Sequence, residues 1–158
     1  MAIKMNISKH ITYQESVKSV VAIKFGIDNI PNELQLKNMI ELAKNVFEPL
    51  RAGLGGYPLI ITSFFRSAKL NKTVGGAYNS QHKAIDGAAM DIDNDRTKDG
   101  PSNVAIFNYI KDNLEFDQLI WEYGDNDRPD WVHVSFNLNN NRRQLLRCIG
   151  GQYKKIEL

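Results

Sequence analysis

A long apolar stripe between residues 36 and 50 constrains the fold of this chain more than any other feature of its sequence. Apolar side chains recur there at steps of three and four residues: Leu36, Met39, Ile40, Ala43, Val46, Phe47 and Leu50. This spacing places them on one face of an amphipathic helix, which we expect to end near Gly53. We therefore assign this face to the hydrophobic core.

Shorter patterns predict the remaining elements. Thr12 and Glu15 have capping-box spacing, which predicts a helix through Val17, Val20 and Val21 that stops near Gly26. Ser102 is a candidate cap for a later helix, whose apolar face is Val104, Phe107, Ile110 and Leu114.

Strand-like runs follow the helical stripe. They occupy residues 57–65, 88–92, 116–124, 130–136 and 143–149. The turn-forming letters DNDRP separate 116–124 from 130–136, so these two runs are expected to form an antiparallel hairpin. Helices first, and then strands with one helix between them, predict an α+β fold with a mainly antiparallel sheet.

Composition limits the class of protein. The 158 residues, 42% hydrophobic and 24% charged, suit one globular domain spanning 1–158. A net charge of +2 is too small to indicate a nucleic-acid partner. The basic cluster of Arg142, Arg143, Arg147, Lys154 and Lys155 is therefore interpreted as solvated surface.

Location and association are predicted from what the sequence lacks. No apolar run reaches the ~18 residues that a membrane helix needs. The first residues, MAIKMNISKHITYQES, do not resemble a signal peptide, so we expect synthesis in the cytoplasm. The single cysteine, Cys148, excludes an internal disulfide. A monomer is the working expectation, although the sequence leaves the oligomeric state open.

The segment SQHKAIDGAAMDID, residues 80–93, combines a histidine, small residues and three acids. With His82 and Asp91 from this segment and His133 from a predicted strand, the chain offers two imidazoles and a carboxylate. That is a usual ligand set for a catalytic zinc with one open position. Zinc lowers the pKa of a bound water towards ~7. Such a site also needs an acid that is not a ligand, to pass the water's proton to a leaving amine.

These residues resemble the M15 zinc peptidases, the D-alanyl-D-alanine carboxypeptidase and murein endopeptidase group, and especially its short phage-type subgroup. The resemblance covers most of the chain, because several motifs follow in the family's order. They are SKHITYQE (8–15), EPLR (48–51), ITSFFRS (61–67), LNKTVGGAYNSQH (70–82), FDQLIWE (116–122) and WVHVSF (131–136). It implies an M15 or hedgehog-like fold, with N-terminal helices packed on one side of a small sheet.

The resemblance also implies roles by position. His82, Asp91 and His133 match the zinc ligands. Arg66 matches an arginine that binds a substrate carbonyl or carboxylate and stabilises the oxyanion of the transition state. Ser80 and Gln81 match residues that orient the first ligand or bind the peptide.

Two acids compete for the role of proton acceptor. Relatives commonly place an acid three residues before the last histidine, and that position is Asp130. Side chains alternate in a regular strand, so Asp130 would point away from His133, whereas Glu122 could lie diagonal to it across the hairpin. Asp130 follows Pro129, where the strand need not be regular. We therefore prefer Asp130 and keep Glu122 as the alternative.

The spacing of the first two ligands departs from the family. His82 and Asp91 are nine positions apart, where most relatives have seven. A loop absorbs two extra residues at small thermodynamic cost, but they could move His82 or reshape the groove. Asp86 and Asp93 then become rival ligands. Asp91 is retained because it completes the family's glycine-x-alanine-x-aspartate motif.

The expected function is a zinc-dependent peptidase that hydrolyses peptidoglycan stem peptides. The sequence does not distinguish a carboxypeptidase from an endopeptidase, or a D,D-bond from an L,D-bond. The alternative is a catalytically inactive wall-binding or virion module on the same fold. We expect peptidoglycan peptides as partners, rather than nucleic acid or membrane. A wall hydrolase without a signal peptide must reach the wall by lysis, in a particle or through a membrane hole, which suits a phage or prophage protein.

Overall fold

The computed structural model describes residues 5–157, in which helices and strands are mixed. The α-helices are α1 (Tyr13–Val17), α2 (Val20–Phe25), α3 (Glu33–Leu42), α4 (Glu48–Gly53), α5 (Ala68–Thr73) and α6 (Asn103–Asn113). The strands are β1 (Asn6–Ser8), β2 (Ile11–Thr12), β3 (Ile61–Ser63), β4 (Ala88–Ile92), β5 (Gln118–Glu122), β6 (Trp131–Phe136), β7 (Gln144–Ile149) and β8 (Gln152–Lys155). The predicted α+β class is confirmed. No helix within this range is both long and apolar enough to span a bilayer.

The larger sheet has the strand order β3-β4-β6-β5-β7-β8, and β1 and β2 form a separate pair. Neighbouring strands of the larger sheet are antiparallel except for β5 and β7, which are parallel. The predicted hairpin is therefore confirmed as β5 and β6. The sheet is mainly antiparallel, as expected.

Strand β8 was not predicted from the sequence. Gly150 and Gly151 adopt positive φ values of 56° and 78° and form a two-residue turn between the paired residues Ile149 and Gln152. Two consecutive glycines between strand-like runs are a recognised hairpin signal, so the sequence did contain the evidence. This strand forms one edge of the larger sheet and makes the sheet wider.

The two faces of the sheet differ because side chains alternate along each strand. In β6, Val132 and Val134 are fully buried in the main core, whereas Trp131 and His133 line an open cleft. Helix α3 contacts β4 and β6 on the core side, and α6 contacts β5 and β6 there. The helices therefore support one face and leave the other accessible.

The predicted long helix continues to Gly53, but it is not α-helical throughout. A π-helical turn, Ala43–Phe47, separates α3 from α4. Asn32 and Gln35 form a capping box at the start of α3. Val46 and Leu50, on either side of the end of the π-helical turn, are both fully buried, so the apolar stripe does cover the core as predicted.

Two predicted elements were too long. The helix through Val17 and Val20 is interrupted, because Ser19 caps a second helix by accepting a hydrogen bond from the amide of Ala22. Val20 is 75% exposed and does not belong to the core. The strand predicted for 57–65 is reduced to Ile61–Ser63, since the chain leaves the sheet after that point.

The opening motif and the EPLR motif contact each other. The Glu48 carboxylate accepts a hydrogen bond from Ser8 Oγ (2.6 Å) and lies 2.6 Å from His10 Nδ1. His10 is one of the chain's three histidines and is not among the candidate ligands. It is exposed, but this contact with Glu48 ties the β1–β2 pair to α4.

Candidate metal centre

His82 is held by contacts on several sides. It lies in a short 3-10 turn, and Ser80 Oγ accepts a hydrogen bond from its amide (3.3 Å). The Nδ1 atom of His82 lies 2.7 Å from the carbonyl oxygen of Phe64, and the backbone carbonyl of His82 accepts a hydrogen bond from the amide of Arg66 (2.9 Å). A carbonyl oxygen only accepts, so Nδ1 carries the proton. The lone pair of a neutral ring is then on Nε2, as metal ligation requires.

The other two predicted ligands lie directly opposite each other in β4 and β6. Asp91 Oδ1 is 3.0 Å from His133 Nδ1 and 3.3 Å from His82 Nε2. One donor atom from each of the three residues lies within 4.8 Å of the others. The structure therefore brings together His82, Asp91 and His133 from three separate segments.

The ionisation states of this group suit a divalent cation. Burial lowers the pKa of His82, which is only 2% exposed, and the opposing effect of Asp91 does not overcome it. Burial raises the pKa of Asp91, but His82 and His133 hold it well below its usual range. An ionised carboxylate thus faces the lone pair of a neutral imidazole, and neither supplies a proton. A metal ion satisfies both, and this set of two nitrogens and one oxygen fits zinc.

The two extra residues after His82 do not displace it. Gln35 and Asn38 of α3 donate hydrogen bonds to the carbonyls of Lys83 and Ala84, both at 2.9 Å. Gly87 then returns the chain to β4 with φ 75°, at a position where a Cβ atom would overlap the carbonyl oxygen of Phe136. The insertion is therefore anchored to the helical layer.

The rival acids are engaged elsewhere. Asp86 is exposed and accepts a hydrogen bond from Asn137 (2.8 Å). Asp93 accepts hydrogen bonds from Asn103 (3.0 Å) and Arg96 (2.5 Å). Neither joins the three ligand candidates among residues 5–157.

A cleft of about 1240 Å³ surrounds these three side chains. Its lining includes the other predicted site residues Arg66, Ser80, Gln81 and Glu122. A smaller hollow of about 350 Å³ lies between α6 and the opposite face of the sheet and contains none of the predicted site residues. The sequence-predicted site, apart from Asp130, is therefore one continuous surface.

Arg66 places a positive charge beside the ligand group. Burial lowers its pKa and the negative charge of Asp91 raises it, but an arginine remains protonated at neutral pH. Its Nε is buried and has no hydrogen-bond partner among the described residues. A Cβ atom at Gly76 would overlap Asn71 Oδ1 and lie 3.1 Å from Arg66 Nη1, so this glycine lets the loop pack closely against both side chains.

Ser80 and Gln81 contact the protein itself. Ser80 caps the turn that carries His82. Gln81 Nε2 donates to the carbonyl of Asp86 (2.9 Å) and to Asp117 Oδ2 (2.8 Å). These contacts favour a positioning role over direct binding of the peptide, although both residues border the cleft.

The structure separates the two candidate proton acceptors. Ile120 pairs with His133 and Glu122 pairs with Trp131, so Glu122 is diagonal to His133 on the cleft face. Asp130 is exposed and does not line the cleft, and its carbonyl accepts a hydrogen bond from Asn103 of α6 on the other side of the sheet. The geometry does not support our preference for Asp130, because strand alternation directs that position away from the ligands.

Glu122 has the environment of a proton acceptor. It is only 5% exposed, and burial raises its pKa, with His133 and a hydrogen bond from Cys148 opposing the shift. Its Oε2 has no hydrogen-bond partner within residues 5–157. A raised carboxyl pKa brings proton uptake and release closer to neutral pH.

Comparison with known protein families gives a match. A family model described as Peptidase M15 matches residues 9–135, well over half of the chain and inclusive of all three ligand candidates. No curated protein matches the chain. Strands β7 and β8 lie outside the matched range.

Proposed function

The chain belongs to the peptidase M15 family, and we propose that it is a zinc-dependent peptidase that hydrolyses peptidoglycan stem peptides. The observation that carries this proposal is the convergence of His82, Asp91 and His133 within 4.8 Å, in a cleft that also contains Arg66 and Glu122. Family membership supports a peptidase. The zinc and the wall substrate are the proposal.

Each residue has a part that follows from its position. His82 Nε2, His133 Nδ1 and an Asp91 oxygen would hold the ion. Bound there, zinc would supply Lewis-acid chemistry and lower the pKa of a water molecule. Glu122 accepts a proton from the attacking water and delivers it to the amine nitrogen that leaves.

Arg66 acts on the carbonyl side of the scissile bond. Its guanidinium donates hydrogen bonds to the oxygen on which negative charge develops, and burial strengthens that interaction because little water competes. Ser80 and Gln81 keep His82 in register. The cleft is larger than most small-molecule pockets, as a peptide substrate requires.

The test is metal content together with peptide hydrolysis. We expect about one zinc per chain after zinc addition, and loss of the metal in His133→Ala. His10→Ala is the matched control, because it removes an imidazole that lies outside the cleft. Muropeptides digested with the wild-type chain should yield product peptides by mass spectrometry, and chelation should stop their release. A wild-type chain that binds no zinc, or equal zinc loss in both variants, contradicts the proposal.

The alternative of an inactive wall-binding or virion module is less well supported. Its motivations were the insertion after His82 and the ambiguity of the proton acceptor. The insertion leaves the ligand candidates, Arg66 and Glu122 together, and of the two acids Glu122 lines the cleft. The same digestion decides between them, since a module binds muropeptides without products. Delivery by lysis or in a particle, a monomeric state and the absence of nucleic-acid or membrane partners stay predictions. The identity of the products will distinguish carboxypeptidase from endopeptidase activity.

A further inference from the structure

We propose that Lys155 binds a carboxylate of the peptide substrate at the end of the cleft far from the metal ligands, so that acidic peptides are preferred. This inference rests on the proposed function, because it takes the metal centre as the point at which the peptide is cut. It assigns a charged end to the substrate, which family membership alone does not.

Lys155 shares a face with the metal ligands. Asp91, His133, Ile120, Leu146 and Lys155 are directly paired, one after another, across β4, β6, β5, β7 and β8. Directly opposite residues in neighbouring strands point to the same face of a sheet. All five border the same cleft, with the ligands at one end of the row and Lys155 at the other.

The length of the row sets the reach of the substrate. Three strand spacings of about 4.8 Å separate His133 from Lys155, or roughly 14 Å along the sheet. An extended peptide advances about 3.3 Å per residue, so this distance corresponds to about four residues. Because the lysine side chain is long and flexible, it would meet a carboxylate about two to four residues from the scissile bond.

The surface between the two ends suits an extended chain. Ile120 and Leu146 form a low apolar floor, only 6% and 8% exposed. The amides of Gln118 and Gln144 lie on one side of it and hydrogen-bond each other (2.7 Å). A peptide crossing this floor finds apolar contact beneath its backbone and amide groups beside it, before it reaches the ammonium group.

The charge of Lys155 is available to a ligand. Among the residues that the structure describes, it forms no ion pair. Arg142, another cation of the cleft, is held by two hydrogen bonds to Asp117 (2.7 and 2.8 Å). Lys83 lies over the ring of Tyr78, 4.8 Å from its centroid. Lys155 is therefore the cation at the β8 end that an incoming carboxylate would meet.

This part of the cleft lies partly outside the matched region. The family model ends at residue 135, whereas Leu146 and Lys155 come from β7 and β8. Substrate preference can vary in such a wall without disturbing the ligands or Glu122. The structure thus separates residues that perform hydrolysis from a residue that selects the peptide.

The test compares neutral and acidic peptides. A set of stem-like peptides would carry either glutamate or glutamine at one position, two to four residues to either side of the scissile bond. We expect the wild type to prefer glutamate at one of these positions by roughly tenfold in kcat/KM, mainly through KM, as one charge-assisted hydrogen bond allows. Lys155→Gln should abolish the preference, and Lys155→Arg should retain most of it.

Lys154→Gln is the matched control. Lys154 is the preceding residue of the same strand, but it points to the opposite face and does not line the cleft. Each substitution removes one positive charge, so the two variants have the same net charge. Equal loss of preference in both variants, or no preference in the wild type, overturns the proposal. If no peptide is cleaved, the proposed function fails, and fluorescence anisotropy with the same peptides still decides whether Lys155 selects the acidic one.

Discussion

Replacing Glu122 with glutamine tests the assignment of the proton acceptor most directly. The change preserves the size of the side chain and removes its carboxylate. Glu122 is 5% exposed and lies diagonal to His133 in the sheet. A glutamine side chain has no basic oxygen to take the proton from water. Binding of the peptide and of zinc should persist, because Glu122 is not among the three ligand candidates.

The expected loss follows from the chemistry assigned to the residue. General acid–base catalysis typically contributes a factor of 10² to 10⁴, so kcat of Glu122→Gln should fall by about that much while KM changes little. A fall of this size corresponds to roughly 3–5 kcal/mol of transition-state stabilisation. Initial rates with a neutral stem peptide would give both constants, and elemental analysis would show that zinc content is unchanged.

Asp130→Asn is the matched control for this variant. Asp130 is exposed and lies outside the cleft, so we expect a change of about twofold or less, as for an ordinary surface substitution. The opposite outcome, in which Asp130→Asn loses at least a hundredfold and Glu122→Gln is nearly wild type, would refute the argument from strand alternation. The family spacing would then identify the proton acceptor.

Two further predictions concern stability. Gly87→Ala should lower the free energy of unfolding by about 1–3 kcal/mol in urea denaturation, since it adds a Cβ at φ 75° against the carbonyl of Phe136. Gly26→Ala, also at positive φ but with open space around it, should cost less, and equal losses would contradict the steric reason. Burial raises the pKa of Asp117, but hydrogen bonds from Arg142 outweigh it and hold the pKa below the usual 3.8. The stability that the Asp117 carboxylate contributes is present above about pH 4 and is lost as the pH falls through the folded-state pKa of this group. The free energy of unfolding of the wild type should therefore fall more steeply in acid than that of Asp117→Asn.

The three ligand candidates were predictable because residue types indicated two imidazoles and a carboxylate, and because the family motif selected Asp91 over Asp86 and Asp93. His133 alternates with buried valines, and Asp91 completes a short motif in a run of strand formers. The helical stripe at 36–50 was predictable for a similar reason, since its spacing alone specifies one face. These features are local and survive without knowledge of the partner strands.

Features that depend on pairing were harder to predict. Phe64 and Phe65 are both buried, but Phe64 supplies its carbonyl to His82 instead of continuing the sheet. The apolar composition of this segment predicted that both side chains are buried, but it did not predict which groups their backbones hydrogen-bond. The parallel pairing of β5 with β7 also needs tertiary information, because nothing local distinguishes it from an antiparallel neighbour.

The two candidate proton acceptors show where two rules disagree. Family spacing favoured Asp130, while strand alternation favoured Glu122. Asp130 lies just before β6, and its backbone still hydrogen-bonds to Glu122 and Asn103. The regular strand geometry therefore extends back to Asp130, although Pro129 was expected to make the strand irregular there.

The three candidate ligands come from separate segments, and this has a consequence for the lifetime of the folded chain. Asp91 stands nine residues from His82 and 42 from His133, so an ion shared by all three would close two loops at once. With Cys148 as its single thiol, the chain has no internal disulfide to serve as such a cross-link. Zinc starvation would then have two effects: proteases would degrade the protein sooner, and the protein would turn over less substrate.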